Sequence, residues 1–220
     1  MLVKDRPRLT MQCLRTLFVN SSEQFNLTIV DDCSNYVGQG VYEGFLARPN
    51  VVVLRVTPAC EVTGRLRNLG VYFSEKHWGR GDWLYLSDND AYFTPGWDSK
   101  LTRVFEQNEE RFKLLGAYRH PYHQPRKGEG GEGVVSTDAV QGLGHLMRWE
   151  TWDKYGPLDS WAKGTNQSED FKFCQDIGKD GFLVGSIQPE VVHNCGLTGT
   201  NGKPSPGAEV MVRIPGIVME

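Results

Sequence analysis

No run of apolar residues in these 220 positions approaches a bilayer span, no two cysteines stand as C-x-x-C, and there is no excess of positive charge. Each shortage excludes a class of protein. A membrane-crossing helix needs about 20 apolar residues in succession, and Met1-Leu2-Val3 gives way at once to Lys4, Asp5 and Arg6, leaving no signal-peptide core. The five cysteines, Cys13, Cys33, Cys60, Cys174 and Cys195, are odd in number and scattered, so neither a disulfide framework nor a zinc knuckle is expected. With 24 Lys+Arg against 27 Asp+Glu, the net charge of −3 offers no electrostatic footprint for nucleic acid or an anionic membrane. A soluble cytoplasmic protein without stable membrane insertion is expected. Repeats and low-complexity tracts are absent too, and the length suits one compact domain.

Glycine, by contrast, is abundant at 25 residues, and it falls in loops, which points to a loop-rich enzyme-like domain. Leu9, Cys13, Leu14, Leu17 and Phe18 recur at helical spacing after Pro7. The β-branched run Leu27-Thr28-Ile29-Val30 stops at Asp31-Asp32, as a buried strand does on reaching a solvated cleft. A helix through Tyr42 and a second run, Val51 to Leu54, follow, and strand, helix, strand implies a parallel crossover. Leu66, Leu69, Val71, Tyr72 and Phe73 mark the next helix, and the strand Trp83 to Leu86 again ends in acid, Ser87-Asp88-Asn89-Asp90. A helix from Pro95-Gly96-Trp97 and a strand Leu114 to Tyr118 complete an α/β half over residues 1–118. Residues 119–135, with Lys127-Gly128-Glu129-Gly130-Gly131-Glu132-Gly133, read as a mobile loop or lid. Residues 136–220 hold a helix from Ser168 to Ile177, a strand at Phe182-Leu183-Val184 and a tail with little periodicity.

Asp88-Asn89-Asp90 is the sharpest chemical feature. In an extended segment residues i and i+2 point the same way, so both carboxylates face one site, and such hard oxygens suit Mg²⁺ or Mn²⁺ bound with a diphosphate. A solvated polar turn is the plain alternative for so short a pattern. If the two acid-ended strands are parallel neighbours, both acidic pairs lie at the carboxyl edge of the sheet, where α/β proteins bind ligands. Asp31 and Asp32 can then accept hydrogen bonds from a base and a ribose, or cap the helix after Ser34-Asn35. Trp149, Trp152 and Trp161 are open both to packing and to stacking on a sugar.

Taken in order, Pro7 through Leu17, then Ile29-Val30-Asp31-Asp32-Cys33-Ser34-Asn35, then Gly64 with Arg67-Asn68-Leu69-Gly70, then Leu86-Ser87-Asp88-Asn89-Asp90 resemble the successive blocks of family 2 glycosyltransferases. Gly142, Arg148, Tyr155-Gly156-Pro157-Leu158-Asp159, Ser168-Glu169-Asp170-Phe171, Gly181-Phe182 and Val191-Val192-His193 resemble that family's acceptor-side half, so the resemblance covers nearly the whole chain. It implies a single α/β GT-A domain, that of nucleotide-diphospho-sugar transferases, with a mostly parallel central sheet flanked by helices. It further implies that Asp31 and Asp32 contact the nucleoside and that Arg67 lies near the nucleotide. Asp88, followed by Asn89, would approach the ribose or a metal, and Asp90 would ligate the metal directly. His193 would complete the metal shell or touch the diphosphate, which Lys203 and Arg213 would reach from the tail. Asp170, beside Glu169, would be the general base. The implied reaction is Mn²⁺- or Mg²⁺-dependent transfer from a nucleoside diphosphate sugar, UDP-sugar favoured, to a hydroxyl acceptor with inversion by single displacement. The acceptor would be a glycan, a lipid-linked sugar, a small molecule or a modified base in DNA.

The first strand is short for that pattern, since only Met1-Leu2-Val3 precedes the charged run. A retaining transferase on the same fold, a sugar-phosphate nucleotidyltransferase and an inactive nucleotide- or carbohydrate-binding module are the competing readings. The nucleotidyltransferase lacks its Gly-rich, Arg-containing phosphate loop at the amino terminus, and retention of Asp88, Asp90 and Asp170 speaks against the inactive module.

Overall fold

The structure, a computed structural model, describes residues 1–120, 123–158 and 169–196. In chain order its elements are β1 (Leu2–Val3), α1 (Pro7–Asn20), β2 (Leu27–Asp32), α2 (Tyr36–Glu43), β3 (Val51–Val56), α3 (Thr63–Trp78), β4 (Leu84–Ser87), β5 (Ala91–Phe93), α4 (Trp97–Glu106), β6 (Phe112–Gly116), β7 (Val134–Ser136), β8 (Gly144–Met147), α5 (Trp149–Tyr155), α6 (Glu169–Lys179), β9 (Leu183–Ile187) and β10 (Val192–Asn194). Helix α1 opens on Pro7 and buries Leu9, Cys13, Leu14 and Leu17 along one stripe. Every residue of β2 is buried, as its unbroken apolar run requires of a strand covered on both faces.

The first sheet, in the order β1-β2-β3, is parallel throughout. The second runs β4-β8-β6-β9-β7, with β6 and β9 parallel and the other pairs antiparallel. A parallel bridge between Leu2 and Asp88 joins the two. The acid-ended strands β2 and β4 are therefore not neighbours, contrary to the sequence expectation, because β1 lies between them. Short as it is, β1 sets their relative register, with Val3 opposite Asp31 and Leu2 opposite both Val30 and Asp88. Beneath β1 a cavity of about 1070 Å³ opens among Leu27, Thr28, Leu84 and Tyr85.

Two apolar layers enclose the sheets. Leu14, Leu17, Ile29, Phe93, Leu101, Phe105, Phe112 and Leu115 form one; Val71, Leu84, Leu86, Leu114, Met147, Phe173, Ile177 and Val184 form the other. The split of Leu114 from Leu115 follows the two-residue strand period. Helices α1 and α4 thus cover one face and α3, α5 and α6 the opposite one. At Gly70 a Cβ would stand 2.8 Å from Val30 Cγ2, so α3 lies as close to β2 as a glycine permits.

The glycine-rich stretch turns back beside β7: Arg126 N–H donates to Ser136 O, Asn108 Nδ2 to Glu132 O, and Arg111 to the carbonyls of Glu129 and Gly130. Trp149 is buried under the Arg80 guanidinium and Trp152 meets Phe173, so both pack. Trp161, Lys203 and Arg213 lie outside the described residues.

Candidate active site

The acids at the end of β2 are occupied by backbone N–H groups of the neighbouring turns and by two side chains. Asp31 is fully buried, accepting from Ser34 N–H at 2.9 Å and from the Tyr42 hydroxyl at 2.7 Å. This is the capping role, on the turn into α2. Asp32 accepts from Cys60 N–H at 2.6 Å, Glu61 N–H at 3.1 Å and Lys4 Nζ at 3.2 Å. Burial raises the Asp32 pKa, but these donors outweigh it and hold the carboxyl below its ordinary value.

Around this edge the backbone is strained. Among the described residues the non-glycine residues with left-handed φ are Asp5, Arg6, Cys33 and Glu61, and all four belong to it. Asp5 N–H donates to Ser34 Oγ, Asn35 N–H donates to Asp5 Oδ1, and Lys4 bridges Asp32 and Glu61. Such conformations cost about 1–3 kcal/mol each and gather at functional sites.

Arg67, on α3, organises the centre. Its Nη2 donates to both oxygens of Asp88, at 3.0 and 3.1 Å, and its Nη1 donates to Asp170 Oδ1 at 2.7 Å and to Glu169 Oε1 at 3.4 Å. Three carboxylates from β4's end and the first turn of α6 thus converge on one guanidinium. Burial lowers the Arg67 pKa, and the carboxylates, Asp88 first, more than reverse this. The side chain is 4% exposed and faces the acids, so it lies behind them rather than against an open nucleotide surface. Gly142 closes it from the other side: a Cβ there would stand 2.0 Å from both Nη atoms, and Gly142 N–H donates to Asp170 Oδ2 at 2.9 Å. Glu169 is pushed up by burial and by Asp170, against the pull of Arg67. Below them His145 is fully buried, its Nε2 2.8 Å from Val140 O and 3.9 Å from Asp170 Oδ1, and burial lowers its pKa.

Asp90 receives Arg6 Nη1 at 3.0 Å. Burial, then the neighbouring Asp88, push its carboxyl up to about 6 although Arg6 opposes them. Asn89 points the other way, donating to Thr10 Oγ1 at 2.7 Å and Asp5 O at 3.3 Å, so it anchors the β1–α1 turn instead of facing a ligand. Asn89 is thus directed away from Arg67 and Arg6, the partners of its two neighbours. His193, on β10 opposite Tyr92, is not gathered with Asp88 and Asp90; among the described residues no three His, Cys, Asp or Glu side chains form a metal cage. The carboxylate pair nevertheless suits a hard divalent cation. Both ligands are anionic oxygens, their mutual repulsion is relieved by positive charge, and a third of the Asp88 side chain is open to solvent.

Sequence reading missed Arg6, Lys4 and His145, and it placed Gly142 in the acceptor-side half without its contact to Arg67 and Asp170. The charged run Lys4-Asp5-Arg6 carried a signal, an abrupt break after a strand, but nothing in it showed that Arg6 reaches across to Asp90.

No protein-family model matches the sequence, and no curated protein matches it. In fold the chain is similar to a mannosyltransferase of Pyrobaculum calidifontis solved with GDP-Man and Mn²⁺, at TM-score 0.63 and 11% identity over 90% of this chain and 56% of that one. It is also similar to S. aureus TarS in complex with UDP-GlcNAc, at TM-score 0.63 and 14% identity over 94% and 59%. A third is GalNAc-T7 with UDP, GalNAc and Mn²⁺, at TM-score 0.58 and 15% identity over 83% and 41%. The chain spans between 41% and 59% of the length of these three. At such identities the likeness establishes the architecture: an α/β chain with a parallel sheet between helices, in the GT-A glycosyltransferase fold.

Proposed function

We propose that this chain transfers a sugar from a nucleoside diphosphate donor, UDP-sugar favoured, to a hydroxyl acceptor, in a cytoplasmic setting and with inversion at the anomeric carbon. The observation that carries the reading is the Arg67 fork, which ties Asp88 of the D-N-D segment to Asp170 of α6 across three elements. Chemistry at a leaving diphosphate and chemistry at an attacking hydroxyl need those two carboxylates side by side.

Asp88 and Asp90 would hold Mn²⁺ or Mg²⁺, with the remaining positions filled by the donor diphosphate and water. Bound there, the cation neutralises charge that develops on the leaving group. Asp170 takes the proton of the acceptor hydroxyl as its oxygen forms the new bond to the anomeric carbon and the bond to the diphosphate oxygen breaks. Arg67 and Gly142 N–H hold the Asp170 carboxylate in place for that transfer. A nucleoside contact at Asp32 would require it to exchange its Lys4, Cys60 or Glu61 donor, Asp31 supports the turn into α2, and Lys203 would be a diphosphate contact. The acceptor is a hydroxyl-bearing glycan, lipid-linked sugar, small molecule or modified DNA base.

A panel of nucleotide sugars with and without Mn²⁺, read by calorimetry and by donor hydrolysis, tests this. Asp90→Asn should abolish metal-dependent turnover, and Asp170→Asn should keep donor binding while losing transfer. Full activity in both variants would sink the assignment. The anomeric configuration of the product, read by NMR, decides inversion.

A further inference from the structure

The two carboxylates of the D-N-D segment are each met by an arginine, but on different terms. Arg67 is sealed, with its side chain 4% exposed, whereas Arg6 stands at the rim, 30% exposed, with one contact to Asp90 Oδ2 at 3.0 Å. Arg6 also sits where its backbone is least comfortable. It is the residue before α1, with φ 52° and ψ 57°, and follows Asp5 at φ 50°.

That turn is held from several sides. Asn89 donates to Asp5 O and Thr10 Oγ1, Thr10 Oγ1 donates to the carbonyls of Asp5 and Arg6, and Ser34 Oγ takes the Asp5 N–H. The residue between the two acids therefore fixes the turn that delivers a cation to the second acid. A strained turn clamped in this way places a guanidinium where the proposed metal would coordinate.

Resting on the function proposed above, we propose that Arg6 is the resident counter-cation of Asp90: it neutralises the carboxylate in the free protein, competes with a divalent cation for it, and leaves when the cation binds. A divalent cation at Asp90 lies within a few ångströms of the Arg6 guanidinium on Oδ2, and the repulsion between the two charges weakens the Arg6 contact, which the partly exposed position of Arg6 lets it give up. Once released at the rim, the guanidinium is free to meet the diphosphate that arrives with the cation, an anion its planar fork suits.

The test is Mn²⁺ binding to the protein without nucleotide, followed by electron paramagnetic resonance, for the wild type, Arg6→Gln, Arg6→Lys and Asp90→Asn. Removing a positive charge in contact with a metal ligand should tighten Mn²⁺ binding about tenfold in Arg6→Gln, while Arg6→Lys, which keeps the charge, stays near the wild type. UDP binding at saturating Mn²⁺ should weaken several-fold in Arg6→Gln. Mn²⁺ affinity in Arg6→Gln equal to or below that of the wild type overturns the proposal. If the wild type binds Mn²⁺ and Asp90→Asn does not, that failure belongs to Arg6 alone. If no protein binds Mn²⁺ with or without UDP, the metal reading and the Arg6 proposal fall together. A loss of fold in Arg6→Gln leaves Arg6→Lys to decide: tightened binding in that charged variant contradicts competition.

Discussion

Among the described residues Arg67 is the one cation within hydrogen-bond distance of Asp88, Glu169 and Asp170, and it is itself buried. Truncating it strands acids that its charge now balances, an uncompensated burial worth about 3–5 kcal/mol. Arg67→Met should therefore lower the unfolding free energy by that amount in urea titrations. Arg67→Lys, which keeps the charge but loses the fork, should recover part of it and still fail in transfer. A loss below about 1 kcal/mol in Arg67→Met would show that the acids relax into solvent. The motif type of Asp88 and Asp90 was legible in the sequence because it depends on a two-residue period. The partners of these acids were not, because Arg67 and Arg6 reach them from residues 21 and 84 positions away.

Asp90 gives the pH dependence its sign. Its carboxyl rises from 3.8 to about 6, so between those values the folded protein holds a proton that the unfolded chain has released. Stability from this group is complete at low pH and is lost as pH rises through about 6, amounting to about 3 kcal/mol. Asp90→Asn removes the titration. The variant should come closest to the wild type near pH 3, below both values, and exceed it near pH 7.5 in chemical denaturation, and parallel profiles would refute the assignment.

At the scale of elements, what could be read was what is periodic and long. Helices α1 and α3 and strands β2 and β3 fall where apolar spacing put them, since burial of one stripe or of a continuous run dictates both. Strands β5, β7 and β10 have three residues each, too few for a period, and exist because a partner strand is present. Strand β1 was read as a curtailed strand; that it separates β2 from β4 depends on pairing, which spacing does not encode. Two close approaches between elements can be tested. Gly70→Ala would press a methyl onto Val30 between α3 and β2 and should cost about 1–3 kcal/mol of stability. Gly142→Ala would press onto the Arg67 fork, which cannot retreat without leaving Asp88 or Asp170. Gly142→Ala should lower both transfer and stability, as Arg67→Met does, whereas Gly70→Ala, remote from the acids, should lower stability and leave transfer by the folded protein near the wild-type rate.

For the whole molecule, the small net charge of −3 conceals a division of labour. Asp31 and Asp32 stabilise turns at one strand end, while Asp88, Asp90, Glu169 and Asp170 crowd beside another and are balanced by Arg67 and Arg6. Such an arrangement binds a cation and a diphosphate better together than separately. A nucleotide alone meets four carboxylates set against only two guanidinium groups, and a cation alone must displace Arg6 without an anion to receive it. The two ligands therefore share a favourable coupling free energy, reciprocal by linkage. Because anything that binds only the folded state stabilises it, about 2.7 kcal/mol at a hundred times the dissociation constant, the coupling is visible in thermal unfolding. Mn²⁺ alone and UDP alone should each shift the melting temperature slightly, and both together should shift it by more than the sum. In Arg6→Gln the shift with Mn²⁺ alone should grow and the excess over additivity should shrink. Strictly additive shifts in the wild type would mean that the D-N-D segment is not where cation and diphosphate meet.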